Sequence, residues 1–359
     1  MTVGRGLNAN GIPNNRLREA WVDLSVVILN WNTCALLDAS LRSLTPESQH
    51  GIAFEIIVVD NNSEDGSADM VRGRFPNVHL IANTENTGFG AGNNTAIPHS
   101  QGRYILFLNS DTVVTEGALT ALVRYADASA DIGIVGAKLL NADGSLQYSC
   151  RRYPNLGAGF FRNTPLGRLF PKNRFASDYL MKEFDHASPR DVDWVSGAAL
   201  MMRRTLIDRI GAFDEDFYMY CEDVDLCWRT NHTPYVDEAS GGQSQTENSV
   251  GDTNSRDQPV SKYWRVSYFS DAVIYHYIGK SSDLVPTRMT YEFHRSQYLF
   301  YKKHYAATMP ILMRPLIPVG IALRAVGKLA LYRTLYWRKR LRGELKQPLP
   351  KPPESSANN

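Results

Sequence analysis

Cysteine is scarce in this chain, and its C-terminal part contains no long uncharged run. The four cysteines among the 359 residues are Cys34, Cys150, Cys221 and Cys227. Their spacing matches neither a zinc site nor a small disulfide framework. We therefore predict free thiols in a reducing compartment, with a structural disulfide as the alternative. Between residues 309 and 342 the longest uncharged run is Pro315–Leu323, nine residues, whereas a membrane-spanning helix needs about twenty.

Three further segments lack the apolar residues that a folded core needs. Residues 1–22 are rich in Asn, Gly and Arg, without the apolar centre of a signal peptide, and we predict that they are disordered. Residues 237–258 are polar and low in complexity, which predicts an exposed, mobile insertion. Residues 347–359 are expected to form a disordered end.

The small net charge of +2 is unevenly distributed. Eight Lys and Arg residues and no acid lie between residues 309 and 342. Subtracting them from the net charge leaves about −6 for the rest of the chain. The pattern predicts an acidic body with a basic tail, and we expect no nucleic-acid partner.

Short apolar runs alternate with helical patterns from residue 24 to residue 136, which is typical of βαβ units around a mainly parallel sheet. The predicted strands are Leu24–Leu29, Phe54–Val59, Val78–Ile81, Tyr104–Leu108 and Ile132–Val135, and later Trp194–Met202 and Trp264–Tyr275. The predicted helices are Cys34–Leu44 with Thr33 as candidate N-cap, 68–74, a segment ending near Ser100, Glu116–Ala126, and one starting at Asp223. Residues 150–190 show no clear periodicity.

Two of the predicted strands are followed by an acid. Asp60 follows the second strand, and Asn109-Ser110-Asp111 follows the strand Tyr104–Leu108. Open α/β sheets bind ligands at the carboxyl ends of their strands, so this pattern predicts a site for a nucleotide or its metal. Asp111 could hold Mg²⁺ or Mn²⁺, with His276 as a second ligand because imidazole suits Mn²⁺. The alternatives are an Asx turn at Asp60, a capping Asp111 and a structural His276.

A glycine-rich loop precedes the third predicted helix. Its sequence is Asn86-Thr87-Gly88-Phe89-Gly90-Ala91-Gly92-Asn93-Asn94. The loop amides and the helix N-terminus could hold an anionic group or a base. The loop matches the dinucleotide fingerprint poorly, because its third glycine comes one residue early and it follows the third strand. A tight turn without a ligand is the alternative.

Three acids within four residues follow an aromatic run at residues 217–220. Glu222, Asp223 and Asp225 repel one another and resist joint burial. Either they form a solvated helix N-terminus, which favours acids, or one of them serves proton transfer. Asp225 is expected to pair with Arg229, four residues on. Packing against the aromatic side chains of residues 217–220 would raise the pKa of Glu222 or Asp223, which would favour a general base there.

Six motifs, in this order, resemble those of family 2 glycosyltransferases, which use nucleotide-diphospho-sugars. They are Val26-Val27-Ile28-Leu29-Asn30-Trp31-Asn32, Val58-Val59-Asp60-Asn61-Asn62-Ser63, the glycine-rich loop, Leu108-Asn109-Ser110-Asp111, Val195-Ser196-Gly197-Ala198 and Glu222-Asp223-Val224-Asp225-Leu226. The resemblance covers residues 23–305 and implies a GT-A domain: an α/β, Rossmann-like, mainly parallel sheet with flanking helices. Asn141-Ala142-Asp143-Gly144-Ser145-Leu146-Gln147 with Cys150-Arg151-Arg152 is similar to bacterial rhamnosyltransferases of cell-wall and O-antigen synthesis.

The resemblance also implies roles for individual residues. The nucleotide sugar would be bound by Asn30, Asp60, Asn61, Gly88, Asn93, Asn109 and Ser110. Asp111 and His276 would hold Mg²⁺ or Mn²⁺, Asp223 would be the base with Glu222 beside it, and Trp194 and Gly197 would lie near the sugar and acceptor. Many relatives carry Asp-x-Asp where this chain has Asn109-Ser110-Asp111, which implies weaker metal affinity.

The implied reaction is an inverting sugar transfer. The acceptor oxygen would attack the anomeric carbon opposite the leaving nucleoside diphosphate, in a single displacement. The predicted donor is dTDP-rhamnose, with UDP-linked hexoses or galactofuranose as alternatives. The predicted acceptor is a glycan or a polyprenyl-diphosphate-linked sugar of cell-surface polysaccharide synthesis.

The basic tail at residues 306–346 is expected to form amphipathic helices. Residues 309–342 would lie on an anionic membrane surface, which suits a lipid-linked acceptor and a peripheral protein at the cytoplasmic face of the bacterial inner membrane. Packing of the tail against the catalytic body or a partner is the alternative.

Two other functions compete with the transferase. A catalytically silent nucleotide- or glycan-binding scaffold of a membrane polysaccharide assembly would not need Asp111, Asp223 and His276, whose presence favours an enzyme. A nucleotidyltransferase would carry a glycine-rich, basic loop after the first strand. Asn30-Trp31-Asn32-Thr33 contains neither a glycine nor a basic residue.

Overall fold

The computed structural model of the protein describes residues 22–46, 48–154, 174–236, 263–277 and 286–341. The predictions of disorder for residues 1–22 and 347–359, and of a mobile insertion at 237–258, lie outside the described residues apart from Val22.

Four parallel strands form one half of the central sheet, as the alternating pattern predicts. They are β1 (Leu24–Asn30), β2 (Phe54–Asp60), β3 (His79–Ala82) and β4 (Tyr104–Asn109), in the order β3-β2-β1-β4. The register places Asn30 beside Asp60, and Leu29 beside Asn109. The carboxyl ends of β1, β2 and β4 therefore meet at one edge, where the sequence predicts the ligand.

The other half of the sheet mixes strand directions. It contains β5 (Thr112–Val114), β6 (Ile132–Leu140), β11 (Ala199–Arg203) and β12 (Arg265–His276), and the short strands nearby are β7 (Leu146–Gln147), β8 (Cys150–Arg151), β9 (Arg190–Asp191) and β10 (Trp194–Val195). β11 runs antiparallel between β4 and β6, and β12 is parallel to β6. β5 pairs antiparallel with β12, which sets His276 opposite Thr112. This pairing brings His276 beside Asp111.

Helices cover both faces of the sheet. They are α1 (Cys34–Ser43), α2 (Ser67–Arg74), α3 (Phe89–Asn94), α4 (Ala118–Asp127), α5 (Arg174–Tyr179), α6 (Arg204–Ile210) and α7 (Glu222–Asn231). Side chains of α1, α2 and α4 share one buried cluster with Val26 and Ile28, whereas α6 and α7 share the other with Val27. Successive side chains of a strand point to opposite faces, so a strand covered on both faces is a continuous apolar run in the sequence.

Two predicted elements are divided in the structure. The helix expected to reach Ser100 ends at Asn94 and is followed by a 3-10 turn at Ile97–His99. The single strand predicted at Trp194–Met202 is interrupted at residues 196–198 between β10 and β11. This interruption frees the backbone N–H of Gly197 from the sheet ladder, so that it is available to a side chain.

Two C-terminal helices follow the sheet, α8 (Pro286–His304) and α9 (Leu316–Leu341). α8 lies on the segment before α7: Ser296 Oγ donates to Met219 O at 2.8 Å, and the ring centroids of Phe293 and Tyr220 are 5.5 Å apart. α9 lies on α8, with Arg324 5.7 Å from the ring centroid of Phe293. Within the described part of the chain, no helix combines the length and the hydropathy needed to cross a membrane.

Candidate active site

Asn30 and Asp60 form one hydrogen-bonded unit at the carboxyl edge of the sheet. Asn30 Nδ2 donates to Asp60 Oδ1 at 2.9 Å, and Ser63 N donates to Asp60 Oδ2 at 3.0 Å. The second contact closes a local turn of the kind considered as the structural alternative. Both oxygens of Asp60 thus have a partner within the protein, and the nucleoside-binding role of this pair stays a prediction.

Thr33 occupies the N-cap position of α1 without capping it through its side chain. Its Oγ1 donates instead to Asn30 Oδ1 at 2.7 Å and lies 2.8 Å from Ser110 Oγ. The first N–H of α1, on Cys34, donates to Asp65 Oδ2 at 2.7 Å. The predicted cap is therefore replaced by Asp65, and Thr33 connects Asn30 with the residue before Asp111.

Asn61 fixes the glycine-rich loop. Its Nδ2 donates to Asn86 Oδ1 and to Gly88 O, both at 3.0 Å. Gly88 has φ of 91°, and a Cβ atom there would lie 2.4 Å from the carbonyl oxygen of Tyr218. Only glycine combines this backbone conformation with so close an approach. The loop is therefore in direct contact with the segment that leads into α7.

Asn93 is buried at the end of this loop and is only partly satisfied. Its Nδ2 donates to Phe89 O at 3.0 Å, while its Oδ1 is buried without a hydrogen-bond partner among the described residues. An unsatisfied buried acceptor costs about 1–3 kcal/mol. The free carbonyl suits the nucleotide-binding role predicted for Asn93, which stays a prediction.

Asp111 and His276 face each other beside β5. His276 Nε2 lies 3.2 Å from Asp111 Oδ1, and both side chains are 10% exposed. The amide Nδ2 of Asn109 lies 3.3 Å from the same ring nitrogen. The structure thus brings together the two residues predicted as metal ligands, although they are 165 residues apart in the chain.

Gln147 contacts His276 from the side away from Asp111. Gln147 Nε2 donates to the backbone oxygen of His276 at 3.3 Å and to Asn141 Oδ1 at 2.9 Å. Its Oε1 therefore faces His276 Nδ1, at 2.7 Å. A neutral imidazole with its proton on Nδ1 would donate in this contact and would offer Nε2 to a cation held between it and Asp111. This is the usual form of a metal-bound histidine.

The carboxylate of Asp111 and the imidazole of His276 fit a cation such as Mn²⁺. Among the described residues, no group of three or more His, Cys, Asp and Glu side chains is arranged to hold a metal. Ligands from water and from a bound diphosphate would have to complete the coordination shell.

Asp223 lies at the start of α7 with its carboxylate against Gly197. Its Oδ2 accepts from Gly197 N at 3.0 Å, and its Oδ1 accepts from Val224 N at 2.8 Å. Burial raises the pKa of Asp223. Burial, and then the charge of Asp223, raise the pKa of Glu222 well above its ordinary value. Both pKa values are thus raised where the two carboxyls lie side by side.

The chain enters α7 through two left-handed residues, Tyr220 with φ of 70° and Cys221 with φ of 66°. Non-glycine residues in this conformation cost about 1–3 kcal/mol each and persist where the surroundings hold them. The contacts of α8 with this segment supply that support. Strain of this kind clusters at functional sites, which favours a functional role for the adjacent acids.

Asp225 is the structural acid of the three. Its predicted pair with Arg229 is confirmed, at 2.8 Å from Arg229 Nε. Its second oxygen lies 2.6 Å from His304 Nε2 on α8. Burial would raise the pKa of Asp225, but the hydrogen bonds from His304 and Arg229 bring it below its ordinary value. Asp225 thus connects α7 to α8 through His304. Asp223 does not take part in these contacts.

Asp111 and His276, predicted as metal ligands, and Asp223, predicted as the base, are connected through one stretch of backbone. Asn109 N donates to Ala198 O at 3.0 Å, and the preceding residue, Gly197, holds Asp223. Asp111 lies two residues beyond Asn109. The carboxyl edge of the sheet thus joins the two acidic groups that the sequence places 112 residues apart.

The two residues predicted near the sugar and acceptor, Trp194 and Gly197, are both buried. A Cβ atom on Gly197 would lie 3.3 Å from the Phe89 ring and 3.5 Å from the Cβ of Asp223. Trp194 is 5% exposed, and its indole N–H donates to Arg152 O at 2.9 Å. The role of Trp194 near the acceptor stays a prediction.

Three residues of this region were not predicted as site residues: Gln147, Arg151 and His304. Gln147 and Arg151 belong to the stretch that is similar to rhamnosyltransferases. This similarity is the sequence signal that could have identified them as site residues. No pattern in the sequence marks His304, which lies 79 residues after Asp225.

Comparisons with known proteins agree with this geometry. The family model described as "Glycosyl transferase family 2" matches residues 25–211. The N-acetylglucosaminyl-diphospho-decaprenol L-rhamnosyltransferase of Mycobacterium tuberculosis is 26% identical over 313 residues, covering 84% of this chain and 91% of that protein. Rhamnosyltransferase WbbL of Escherichia coli is 30% identical over 200 residues, covering 53% of this chain and 69% of that protein.

Solved structures are similar at lower identity. The mannosyltransferase PcManGT of Pyrobaculum calidifontis, in complex with GDP-Man and Mn²⁺, gives a TM-score of 0.48 at 16% identity, with 90% of this chain and 83% of that chain covered.

Proposed function

This chain belongs to glycosyl transferase family 2 and is a glycosyltransferase with the GT-A fold, and we propose that it transfers L-rhamnose from dTDP-rhamnose by an inverting, metal-dependent reaction. The proposed acceptor is a glycan or a polyprenyl-diphosphate-linked sugar of cell-surface polysaccharide synthesis. One observation supports the proposal most strongly. The Asp111–His276 pair and the partly buried carboxyl of Asp223 lie at the two ends of the link formed by Asn109, Ala198 and Gly197.

Asp223 would act as the general base of this reaction. It accepts the proton of the acceptor hydroxyl while that oxygen bonds to the anomeric carbon. The bond from the anomeric carbon to the nucleoside diphosphate breaks in the same displacement, which inverts the configuration. Asp111 and His276 would hold a divalent cation, which would supply positive charge to offset that of the departing diphosphate.

The proposed donor rests on relatives' names. Two relatives of this chain are named rhamnosyltransferases, and one name includes a diphospho-decaprenol sugar. UDP-linked hexoses remain the alternative donors.

A binding screen tests the donor and the metal together. We expect dTDP-rhamnose to raise the melting temperature in the presence of Mn²⁺ or Mg²⁺ and not in EDTA, because a ligand that binds only the native state stabilises it in proportion to the logarithm of its concentration over Kd. Thermal shift with a panel of dTDP-, UDP- and GDP-sugars measures this effect. A shift with a UDP-sugar alone would replace the proposed donor, and no shift with any nucleotide sugar in folded protein would contradict the proposal.

The exposed face of α9 supports action at a membrane surface. Leu316, Val319, Leu323 and Val326 are 54–69% exposed and share one face at spacings of three and four residues. Arg324 lies on the side that contacts α8. An outward apolar face on a segment with many basic residues and no acid suits insertion into the headgroup region of an anionic bilayer. None of the four cysteines, all within the described residues, forms a disulfide, in accord with the cytoplasmic face.

Replacing Leu323 and Val326 together by Glu should weaken binding to phosphatidylglycerol vesicles by at least about tenfold, since each large apolar side chain gains about 1.5–3 kcal/mol on full burial. Vesicle co-sedimentation measures the change. The matched control is Val236→Glu, which changes an exposed apolar residue outside α9. Undiminished vesicle binding of the double variant would contradict the membrane role of this face.

A further inference from the structure

One cation near the base has no acid partner. Arg151 is half-buried in β8, and among the described residues its guanidinium forms no salt bridge. Its Nη2 donates to Tyr148 O at 3.3 Å, and its Nε is buried without a hydrogen-bond partner. Removing a charge from water without a counter-charge is costly. The planar fork of a guanidinium matches the oxygens of a phosphate, so a phosphate ligand would supply the missing counter-charge.

Two aromatic rings fix the position of Arg151. Its Cζ lies 5.0 Å from the ring centroid of Trp194 and 5.9 Å from that of Tyr179. β8 pairs with β10 so that Arg151 stands opposite Trp194. Three residues beyond Trp194 the chain reaches Gly197, which holds Asp223. Arg151 thus lies beside the strand that leads to Gly197 and Asp223, the proposed base.

The charge of Arg151 influences Asp223 through space, without a salt bridge between the two side chains. Burial raises the pKa of Asp223, and the positive charge of Arg151 is among the influences that oppose this rise. The neighbouring Arg152 differs, because it pairs with Asp193 at 3.2 Å. Of these two adjacent arginines, only Arg151 influences the pKa of Asp223 and lacks a salt bridge among the described residues.

The two ends of the segment from Gln147 to Arg151 have different neighbours. Gln147 contacts His276. Arg151 stands opposite Trp194 in β10, and the chain beyond Trp194 reaches Gly197 and its contact with Asp223. A donor diphosphate would lie at the Asp111–His276 end, and the acceptor must approach Asp223.

We propose that Arg151 binds a phosphate or diphosphate group of the acceptor and so selects acceptors whose sugar is linked through phosphate. This inference rests on the proposed function, since it takes Asp223 as the base that the acceptor approaches. It adds a recognition element for the anionic part of the acceptor.

Arg151→Gln keeps a polar side chain and removes its positive charge. With dTDP-rhamnose as donor, we expect it to raise KM about ten- to hundredfold for N-acetylglucosamine linked through a diphosphate to a short prenyl chain. KM for octyl N-acetylglucosaminide, which has no phosphate, and KM for the donor should change by less than about threefold, within the spread of such effects. Arg151→Lys should restore part of the affinity. Arg152→Gln is the matched control and should leave both acceptor KM values unchanged.

Equal losses with the charged and the uncharged acceptor would overturn the proposal, because they would indicate a structural role. A raised donor KM would overturn it as well, since the phosphate bound would then be that of the donor.

A binding measurement separates this inference from the proposed function. Titration calorimetry with geranyl diphosphate, in the presence of saturating dTDP and Mn²⁺, should show weaker binding to Arg151→Gln than to the wild type and to Arg152→Gln. If the wild type transfers no sugar to either acceptor but this difference holds, the proposed function fails and the phosphate site stands. If transfer occurs and geranyl diphosphate binds equally to all three proteins, the phosphate site is overturned.

Discussion

Replacing Asp223 by Asn is expected to lower kcat by about 10²–10⁴-fold, the usual contribution of a general base, while donor affinity changes little. Asn keeps the size of the side chain and can still accept the hydrogen bond from Gly197 N through its carbonyl oxygen. It cannot take the proton of the acceptor hydroxyl. Steady-state kinetics with donor and acceptor, together with a donor titration, measure the two effects separately.

The control for this variant is Asp216→Asn, seven residues earlier. Its carboxylate is 66% exposed and pairs with Lys303, and exposed pairs of this kind contribute at most about 1 kcal/mol. Its kcat should stay near that of the wild type. A loss of donor affinity in Asp223→Asn as large as its loss of kcat would contradict the role of base.

The pH profile follows from the same carboxyl. Asp223 accepts a proton only when it is ionised, so the transfer rate falls as the pH drops through its pKa. Because burial raises this pKa, the acid limb should lie above the ordinary aspartate pKa of about 3.9. An acid limb at or below the ordinary value would place the base elsewhere.

Replacing Asp111 by Asn is the second change with a large expected effect. It removes the one carboxylate of the pair with His276, and we expect kcat to fall about 10²–10³-fold, as when a group that stabilises transition-state charge is lost. The thermal stabilisation by dTDP-rhamnose that depends on Mn²⁺ should disappear. The melting temperature, measured while Mn²⁺ and dTDP-rhamnose are titrated, provides a readout that does not depend on activity.

Gln147→Leu is an informative companion to Asp111→Asn. It leaves both proposed ligands in place but removes the acceptor that holds the proton on His276 Nδ1. Loss of such an outer partner lowers metal affinity by about 10–100-fold, so excess Mn²⁺ should restore its activity. The exposed Asp143→Asn serves as control. If Asp111→Asn keeps the Mn²⁺-dependent shift of the wild type, the proposed metal site is wrong.

Much of the sheet could be predicted because its strands are buried on both faces. The run predicted as Leu24–Leu29 forms a strand that ends one residue later, and the acid at the end of β2 lies at the expected edge. The interruption between β10 and β11 could not be predicted, because Trp194–Met202 is apolar on both sides of Gly197. The N–H of Gly197 donates instead to Asp223, 26 residues further on, a contact that the local pattern does not contain.

The sequence by itself determined the order of the motifs, the parallel half of the sheet and the placement of acids at its carboxyl edge. These features follow from local apolar patterns and from the rule that parallel strands end at one edge. The resemblance already implied Asp223 as the base, but only the tertiary structure showed that Asp225, among the three acids of α7, is held by Arg229 and by His304, which lies 79 residues further on. The tertiary structure also placed Gln147, 129 residues earlier in the chain, against His276 Nδ1. Such contacts join distant segments, and no local pattern of residues records them.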